Sequence, residues 1–482
     1  MSPRHVVIVG NGMAGSRLAE RIRGHEPDPE RLTVTVVGAE VHHAYNRVLL
    51  SAVLAGTMTT DAVRLADADW ASRHAIDLRL GTSATAVDRA GRTVCTSDGA
   101  RIGYDALVLA TGSSAWLPPV DGLLGEDGSP ATRVSVFRDL DDCARILRCA
   151  RPGAPVAVLG GGLLGLEAAR GLAGRGCLVT VVHPNDYVLG RQVDAGAGQV
   201  LAEALGELGV EFRLGATARR YVPGDGLKLD DGSHVPADFL VVSAGVRAET
   251  GLAVDAGLHT DPGIVVDDAL RTSDPRIHAI GDCAQHPGAV SGLVQPAWEQ
   301  AEMLAMLLTG ADGAARYTGT AAVTRLKARG VDLAAMGEVH VAPDVREPEV
   351  ICLSDPARGR YAKLVLRDDT VRGAILLGVP DAAATVTQHF DSATPVPEDR
   401  LGFLLGRSLP AEQAAVDSPA TMPGSVVVCR CNGVDKSTLV RAWQGGARGP
   451  DELASQTRAS TGCGSCRGVV EGIAGWLAKS GD

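Results

Sequence analysis

Twice in this chain a short apolar strand runs into three spaced glycines, then into a helical segment and a second apolar strand. The first copy is 5–9 (HVVIV), Gly10-Asn11-Gly12-Met13-Ala14-Gly15, a segment with Leu18 and Ile22 one turn apart, and 33–37 (TVTVV). The second is 156–159 (VAVL), Gly160-Gly161-Gly162-Leu163-Leu164-Gly165, a helix through Ala173, and 178–182 (LVTVV). In this context the first glycine permits a tight turn, the second lets a pyrophosphate approach the backbone, and the third lets helix pack on strand. The helix N-terminus then offers N–H groups to phosphate oxygens. One such pattern is weak evidence, but two in the same frame imply an α/β chain with two Rossmann-like domains and two dinucleotides.

Other glycine turns follow apolar strands: 107–112, ending Ala110-Thr111-Gly112; 240–245, ending Gly245; and 277–282, ending Gly281-Asp282. Residues 320–405 change character. There 361–366 and 371–377 alternate across Asp368-Asp369 and predict an antiparallel hairpin in a small α+β domain. Residues 408–425 are rich in Pro, Ala and Ser without apolar periodicity, which predicts a linker. Beyond it come a strand-like 426–428, a helix capped near Asp435, and a stripe of Val469, Val470, Ile473, Trp476 and Leu477 that reads as packing. The expected division is a first dinucleotide domain in two parts (1–118 and 248–319), a second at 119–247, the α+β domain at 320–407, the linker, and a small helical domain at 426–482.

The helical tail carries Cys429 and Cys431 as C-x-C, and Cys463 and Cys466 as C-x-x-C. Four thiolates so spaced suit one metal centre. Zinc is the alternative occupant, but its structural sites mostly use paired C-x-x-C knuckles, so an iron–sulfur cluster fits the spacing better. Cys95, Cys143, Cys149, Cys177, Cys283 and Cys352 lack ligand spacing and read as small apolar filler in a reducing compartment. A net charge of −11 argues against nucleic acid as a general partner. No stretch is long and apolar enough to span a bilayer. A strand beginning at residue 5 leaves no room for a signal peptide, so the cytoplasm is expected.

These motifs, with TSDPRIHAIGD at 272–282 and GLVQPAWEQA at 292–301, resemble two-nucleotide flavoprotein reductases. AYNRVLLS at 44–51 and the cysteine tail narrow the resemblance. The chain is similar to the amino-terminal half of the NADH-dependent assimilatory nitrite reductase large subunit and to the electron-transfer subunit of bacterial assimilatory nitrate reductase. Its tail resembles the [2Fe–2S] domain of bacterioferritin-associated ferredoxin. The resemblance implies that Gly10, Gly12, Met13, Ala14 and Gly15 hold the FAD pyrophosphate, with Glu40 near the adenosine ribose and Arg47 along the FAD. Ala110, Thr111, Gly112 and Gly281 would shape the same site, and Asp282 would accept from the ribityl hydroxyls. Trp298 is a cofactor candidate whose rival role is packing. A helix over 295–308 would direct its N-terminus to the flavin.

For NADH, with NADPH as the alternative, the resemblance implies Gly160, Gly162, Leu163, Leu164, Gly165 and Gly245. Glu167 would lie toward the nicotinamide or else be a helix-surface acid. His183 ends the strand where a carboxylate usually chooses NADH, or basic residues NADPH. Cys429, Cys431, Cys463 and Cys466 would ligate the [2Fe–2S] cluster. Arg430 and Arg467 flank it and would offset its negative charge, or else be solvated surface residues.

Residues 40–56 lack the cysteine of the thiol-active branches. The chain ends soon after the tail, so nitrite reduction by this polypeptide alone is not expected. The implied work is conversion of paired electrons from NADH into single electrons, with no acid–base pair or catalytic triad required. The implied acceptor is a molybdenum-dependent nitrate reductase catalytic subunit, or a stand-alone nitrite reductase. A redox-sensing iron–sulfur protein is the alternative of a different class. Residues 425–482 hold seven Lys/Arg against five Asp/Glu, which suits docking on an acidic partner face. The 320–405 domain could supply a homo-oligomer face.

Overall fold

The computed structural model describes residues 3–342, 345, 347–407, 419–420, 422–430, 432–461 and 466–480. The chain divides into two compact units. The first comprises Met1–Val48, Thr59–Ala115 and Val246–Thr320. The second comprises Leu49–Met58, Trp116–Gly245 and Ala321–Asp482.

In the first unit a five-stranded parallel sheet runs in the order Ile277–Ala279, Ala106–Leu109, Arg4–Val9, Leu32–Gly38, Ile76–Leu80. All but the edge strand Ile76–Leu80, of which only Ile76 is buried, are Val/Ile/Leu-rich and mostly buried, as parallel strands covered on both faces must be. The order reverses beside Arg4–Val9, so its carboxyl end is the switch point where doubly wound sheets open a crevice. Val9 pairs with Val37 on one side and Leu109 on the other. Helix Met13–His25 buries Leu18, Ala19 and Ile22 in the same core that receives Ala301, Leu304 and Leu308 of helix Val294–Thr309.

The second unit repeats this design. Its sheet order is Val210–Leu214, Leu178–His183, Pro155–Leu159, Phe239–Val242, Val134–Val136, all parallel. Leu159 pairs with Val182 and with Val242, just as Val9 does with its neighbours. Leu50–Ala55, which the sequence reading placed with the first domain, forms a helix of this unit, where Ala55 lies against Gly171.

The same unit carries an antiparallel sheet in the order Val323–Leu326, Leu333–Gly337, Thr370–Leu377, Arg360–Arg367, Glu349–Asp355. Helix Pro380–Ser392 covers it with Ala382, Ala383 and Val386. The expected hairpin is present. Asp368 and Asp369 have φ of 51° and 58°, the left-handed pair that a two-residue hairpin turn requires.

Among the described residues the tail is a short ribbon, Val427–Cys429 with Val434–Asp435, and three helices, Lys436–Gln444, Pro450–Thr457 and Arg467–Ser480. Asp435 caps the first by accepting from the Thr438 N–H at 2.7 Å. Leu439, Trp443 and Leu453 are buried, as are Val470, Ile473 and Leu477 of the expected stripe, whereas Val469 and Trp476 are half-buried at its margin. Most of the expected linker lies outside the described residues.

Candidate cofactor sites

Both glycine turns leave the sheet where strand order reverses. Gly10 has φ of +115° and Gly160 +124°, a region closed to L side chains. A Cβ on Gly10 would stand 2.1 Å from the Ala110 carbonyl oxygen, and one on Gly160 would stand 2.2 Å from that of Ser243. Ala110 and Ser243 thus occupy equivalent places, and only the first was legible as a motif. A Cβ on Gly15 or Gly165 would meet the carbonyl oxygen of Gly10 or Gly160 at 1.9 and 2.0 Å. By contrast, a Cβ on Gly12 or Gly162 would meet nothing within 4 Å. Open space therefore lies at the position where a pyrophosphate must approach.

Gly12 and Gly162 are the N-cap residues of helices Met13–His25 and Leu163–Ala173, and neither helix start has a side-chain cap. Such ends are suited to an anion. Each turn also holds a buried nitrogen without a partner among the described residues: Asn11 Nδ2 in the first and His183 Nε2 in the second. A buried donor left unpaired costs on the order of 1–3 kcal/mol, which a ligand oxygen would offset. Both turns fit a dinucleotide.

The first unit brings several candidates together. Asp282 accepts from the Ser113 hydroxyl at 2.9 Å. Gly281, with φ of +76°, donates its N–H to the buried side chain of Gln300 at 2.8 Å, and a Cβ there would stand 3.0 Å from Ala14 Cβ. The Gly281-Asp282 turn is thereby seated on the start of helix Met13–His25 by a residue of helix Val294–Thr309. Gln300 and Ser113 were not singled out in the sequence. Gln300 lies within the recognised GLVQPAWEQA segment, which was the available signal. Trp298 is buried and donates its indole N–H to the Met13 carbonyl at 3.3 Å, with Arg17 over its ring. Its contacts are those of packing. Thr111 is turned to the Glu249 carbonyl, and Gly112 accepts from the Glu249 N–H.

Glu40 and Arg47 form one ion pair, with the Tyr45 hydroxyl donating to the other carboxylate oxygen of Glu40 at 2.7 Å. The rival reading of Arg47, a partner for a surface carboxylate, is met by the other candidate residue. Both side chains are partly exposed, so the pair alone stabilises little. A carboxylate has lone pairs left for a ribose hydroxyl while holding two donors.

In the second unit Glu167 is not a helix-surface acid. Its side chain is 3% exposed and pairs with Lys327 Nζ at 3.8 Å. It also accepts from the Lys327 N–H at 2.9 Å. His183 accepts the Gly161 N–H on Nδ1 at 3.2 Å, which places its own proton on Nε2. Burial holds this imidazole below its usual range. Gly245 has φ of +127°, accepts from the Trp116 N–H, and has open space where a Cβ would lie. Leu163 and Leu164 open the helix beside Gly162 and are only partly buried.

In the tail, Cys429 ends the ribbon and Cys466 immediately precedes helix Arg467–Ser480; both are buried. Cys431 and Cys463 lie outside the described residues. Asn432 donates to the Arg458 carbonyl at 2.6 Å and to the Thr461 hydroxyl at 3.1 Å, which ties the ribbon's turn to residues 458–461. Two buried thiols within a C-x-C…C-x-x-C set fit a cluster of soft, thiolate-bound metal. Arg467 pairs with Asp451 and Glu471, and Arg430 with Asp391 of helix Pro380–Ser392. Each arginine thus already has a carboxylate.

Two repeated nucleotide units, an antiparallel third domain and a thiol-bearing tail define an FAD-dependent oxidoreductase that uses a pyridine nucleotide. The chain belongs to the pyridine nucleotide-disulphide oxidoreductase family, which residues 4–301 match. Residues 323–391 match the rubredoxin NAD+ reductase C-terminal domain, and 427–475 the BFD-like [2Fe-2S] binding domain. It is 35% identical over 98% of its length to the nitrite reductase [NAD(P)H] of Bacillus subtilis, covering 58% of that protein. It is 32% identical over its whole length to the assimilatory nitrate reductase electron transfer subunit of the same organism, covering 60% of it. The chain therefore spans about three-fifths of these relatives. In structure it resembles putidaredoxin reductase in its covalent complex with putidaredoxin, with a TM-score of 0.75 and 27% identity over 86% of this chain and 99% of that one. No helix among the described residues is long and apolar enough to cross a membrane.

Proposed function

We propose that this protein takes electrons from NADH, passes them through FAD and a [2Fe–2S] cluster, and delivers them to a separate assimilatory nitrate reductase catalytic subunit. The observation that carries this reading is the coexistence, in one chain, of two glycine turns with open space at Gly12 and Gly162 and a tail that buries Cys429 and Cys466. Flavin chemistry accepts a hydride and releases electrons singly, which suits a one-electron cluster.

The chain's own residues bind and orient. Gly10, Gly12 and Gly15, with the Met13–His25 helix start, hold the FAD pyrophosphate; Asp282, set by Ser113 and Gln300, receives the ribityl hydroxyls; and Glu40 with Arg47 lines the same cofactor. Gly160, Gly162 and Gly165 hold the nucleotide pyrophosphate, and His183 reads the adenosine end. Cys429, Cys431, Cys463 and Cys466 ligate the cluster. NADH is favoured because His183 supplies no fixed positive charge for a 2′-phosphate. The acceptor reading is supported by the match to the nitrate reductase electron transfer subunit over the whole chain. Likeness to a nitrite reductase favours that enzyme as the second candidate acceptor. We place the protein in the cytoplasm, where buried thiols such as Cys143, pushed up to about 12 by burial, stay reduced and inert.

Anaerobic titration with NADH tests this. The expected result is bleaching of flavin absorbance, then an EPR signal from a reduced cluster, with two irons and two sulfides per chain. Addition of the molybdenum subunit and nitrate should reoxidise both centres. A colourless protein, or one holding zinc, sinks the proposal.

A further inference from the structure

Residues 184–193 follow His183, at the strand end that faces the adenosine of a dinucleotide in this fold. The middle of this segment and its carboxyl-terminal end are pinned. In the middle Leu189 donates its N–H to the Gly161 carbonyl at 3.0 Å, and fully buried Val188 packs beside Gly161. Leu189 has φ of 57°, which a bulky residue rarely adopts, so its surroundings must hold it there.

At the carboxyl-terminal end stands Asp194, which opens helix Ala195–Glu207 by accepting the Ala197 N–H at 3.1 Å. Its second oxygen accepts from Lys363 Nζ at 2.7 Å and from the Tyr361 hydroxyl at 2.9 Å. Both donors belong to strand Arg360–Arg367 of the antiparallel domain. The Lys363 side chain is 2% exposed and also donates to the Val339 carbonyl at 2.9 Å. Burial, with Asp194 and Cys352 beside it, raises the Tyr361 hydroxyl and keeps it a donor.

The first helical turn transmits this anchor. A Cβ on Gly196 would stand 2.8 Å from the Tyr361 ring. One on Gly198 would stand 2.6 Å from the Val188 carbonyl and 2.7 Å from the Tyr187 ring. Contacts therefore run unbroken from Lys363 and Tyr361 through Asp194 and the helix start to Tyr187, Val188 and Gly161. A buried ion pair is weak evidence for stability, because apolar replacements often serve as well. Its place at the end of the nucleotide segment gives it another use.

We propose that Lys363 and Tyr361 are positioning residues for the nucleotide site: acting through Asp194, they hold residues 184–193 in the conformation that receives the adenosine end of NAD(P)H. This rests on the reading that the second glycine turn takes that nucleotide.

The test is anaerobic stopped-flow reduction of the FAD-loaded full chain at varied NADH. Lys363→Met should raise the NADH dissociation constant about tenfold and Tyr361→Phe about threefold, within the range by which residues along a coupling path act. The limiting reduction rate and FAD content should stay within about twofold, as expected for lost ground-state binding. Leu364→Ala, in the core beside Lys363, should lower the melting temperature at least as much without moving the dissociation constant. Should Lys363→Met fail to fold, Tyr361→Phe removes one hydroxyl and decides alone. Unchanged NADH affinity in the foldable variants, or an equal loss in Leu364→Ala, overturns the proposal. If neither NADH nor NADPH reduces the wild-type flavin, the reading of the site itself falls first, and this proposal with it.

Discussion

The two glycine turns impose the same backbone geometry and differ in what fills the space beside it. In the first unit the turn carries Asn11 and the following strand ends in Gly38, where a Cβ would stand 2.8 Å from Asn11 Cβ. In the second the turn carries Gly161 and the strand ends in His183, whose ring a Gly161 Cβ would meet at 2.9 Å. One plug per turn is present, contributed from opposite sides. The repeated glycines fix where phosphate can lie, while the plug decides which polar group lies next to it: an amide in one unit, a neutral imidazole in the other. The shared frame is set by sterics, and the difference is chemical.

The largest test separates the two frames. Gly10→Ala and Gly160→Ala each force a methyl within about 2 Å of a carbonyl oxygen at a positive φ, a cost on the order of 3 kcal/mol or more. Gly10→Ala should strip the flavin, read as lost visible absorbance. Gly160→Ala should retain it while NADH no longer bleaches it. Identical phenotypes would show that the turns do not serve separate ligands.

Acid should weaken the first unit through a buried histidine. Burial lowers His278 to about 4, with its ring nitrogen near the Ala269 carbonyl. Above the unfolded value of about 6.5 both states are neutral and the full contribution is present. Between 6.5 and 4 the unfolded chain takes a proton that the folded one refuses, so stability falls as pH falls. The loss should reach roughly 2 kcal/mol by pH 5 in urea denaturation and flatten in His278→Gln. His183, also lowered by burial, adds in the same direction in the second unit.

The smallest effect sharpens the plug itself. Gly161→Ala should cost about 1–2 kcal/mol by overpacking against His183. Gly161→Ala/His183→Ala should recover most of it, giving a coupling well above zero in a double-mutant cycle of thermal midpoints. Additive losses would mean that the two residues do not share one space.

What the sequence made legible was local. Period-two strands, the glycine spacing, the Asp435 cap and the stripe ending at Leu477 each follow from neighbours a few residues apart. The hairpin across Asp368-Asp369 was legible for the same reason. What it hid was long-range. Glu167 meets Lys327 and Asp194 meets Lys363 across more than 150 residues, and no periodicity encodes either pairing. Gln300 sits in a recognised segment, yet its bond to Gly281 exists only once helix and strand are packed. Likewise AYNRVLLS reads as one motif, although the chain passes from one unit to the other between Val48 and Leu49. Cys429 and Cys466 are buried as ligands should be, whereas Cys431 and Cys463 fall outside the described residues.

The first unit is threaded from three separate stretches, with Leu49–Met58 and Trp116–Gly245 of the second inserted between its parts. During synthesis this has a consequence. Every strand of the second parallel sheet has been made by Val242, whereas the edge strand Ile277–Ala279 and the long helix Val294–Thr309 of the first emerge only afterwards. The nascent amino-terminal segments must therefore wait, partly assembled, while the inserted parallel sheet is the first of the two to have all its strands synthesised.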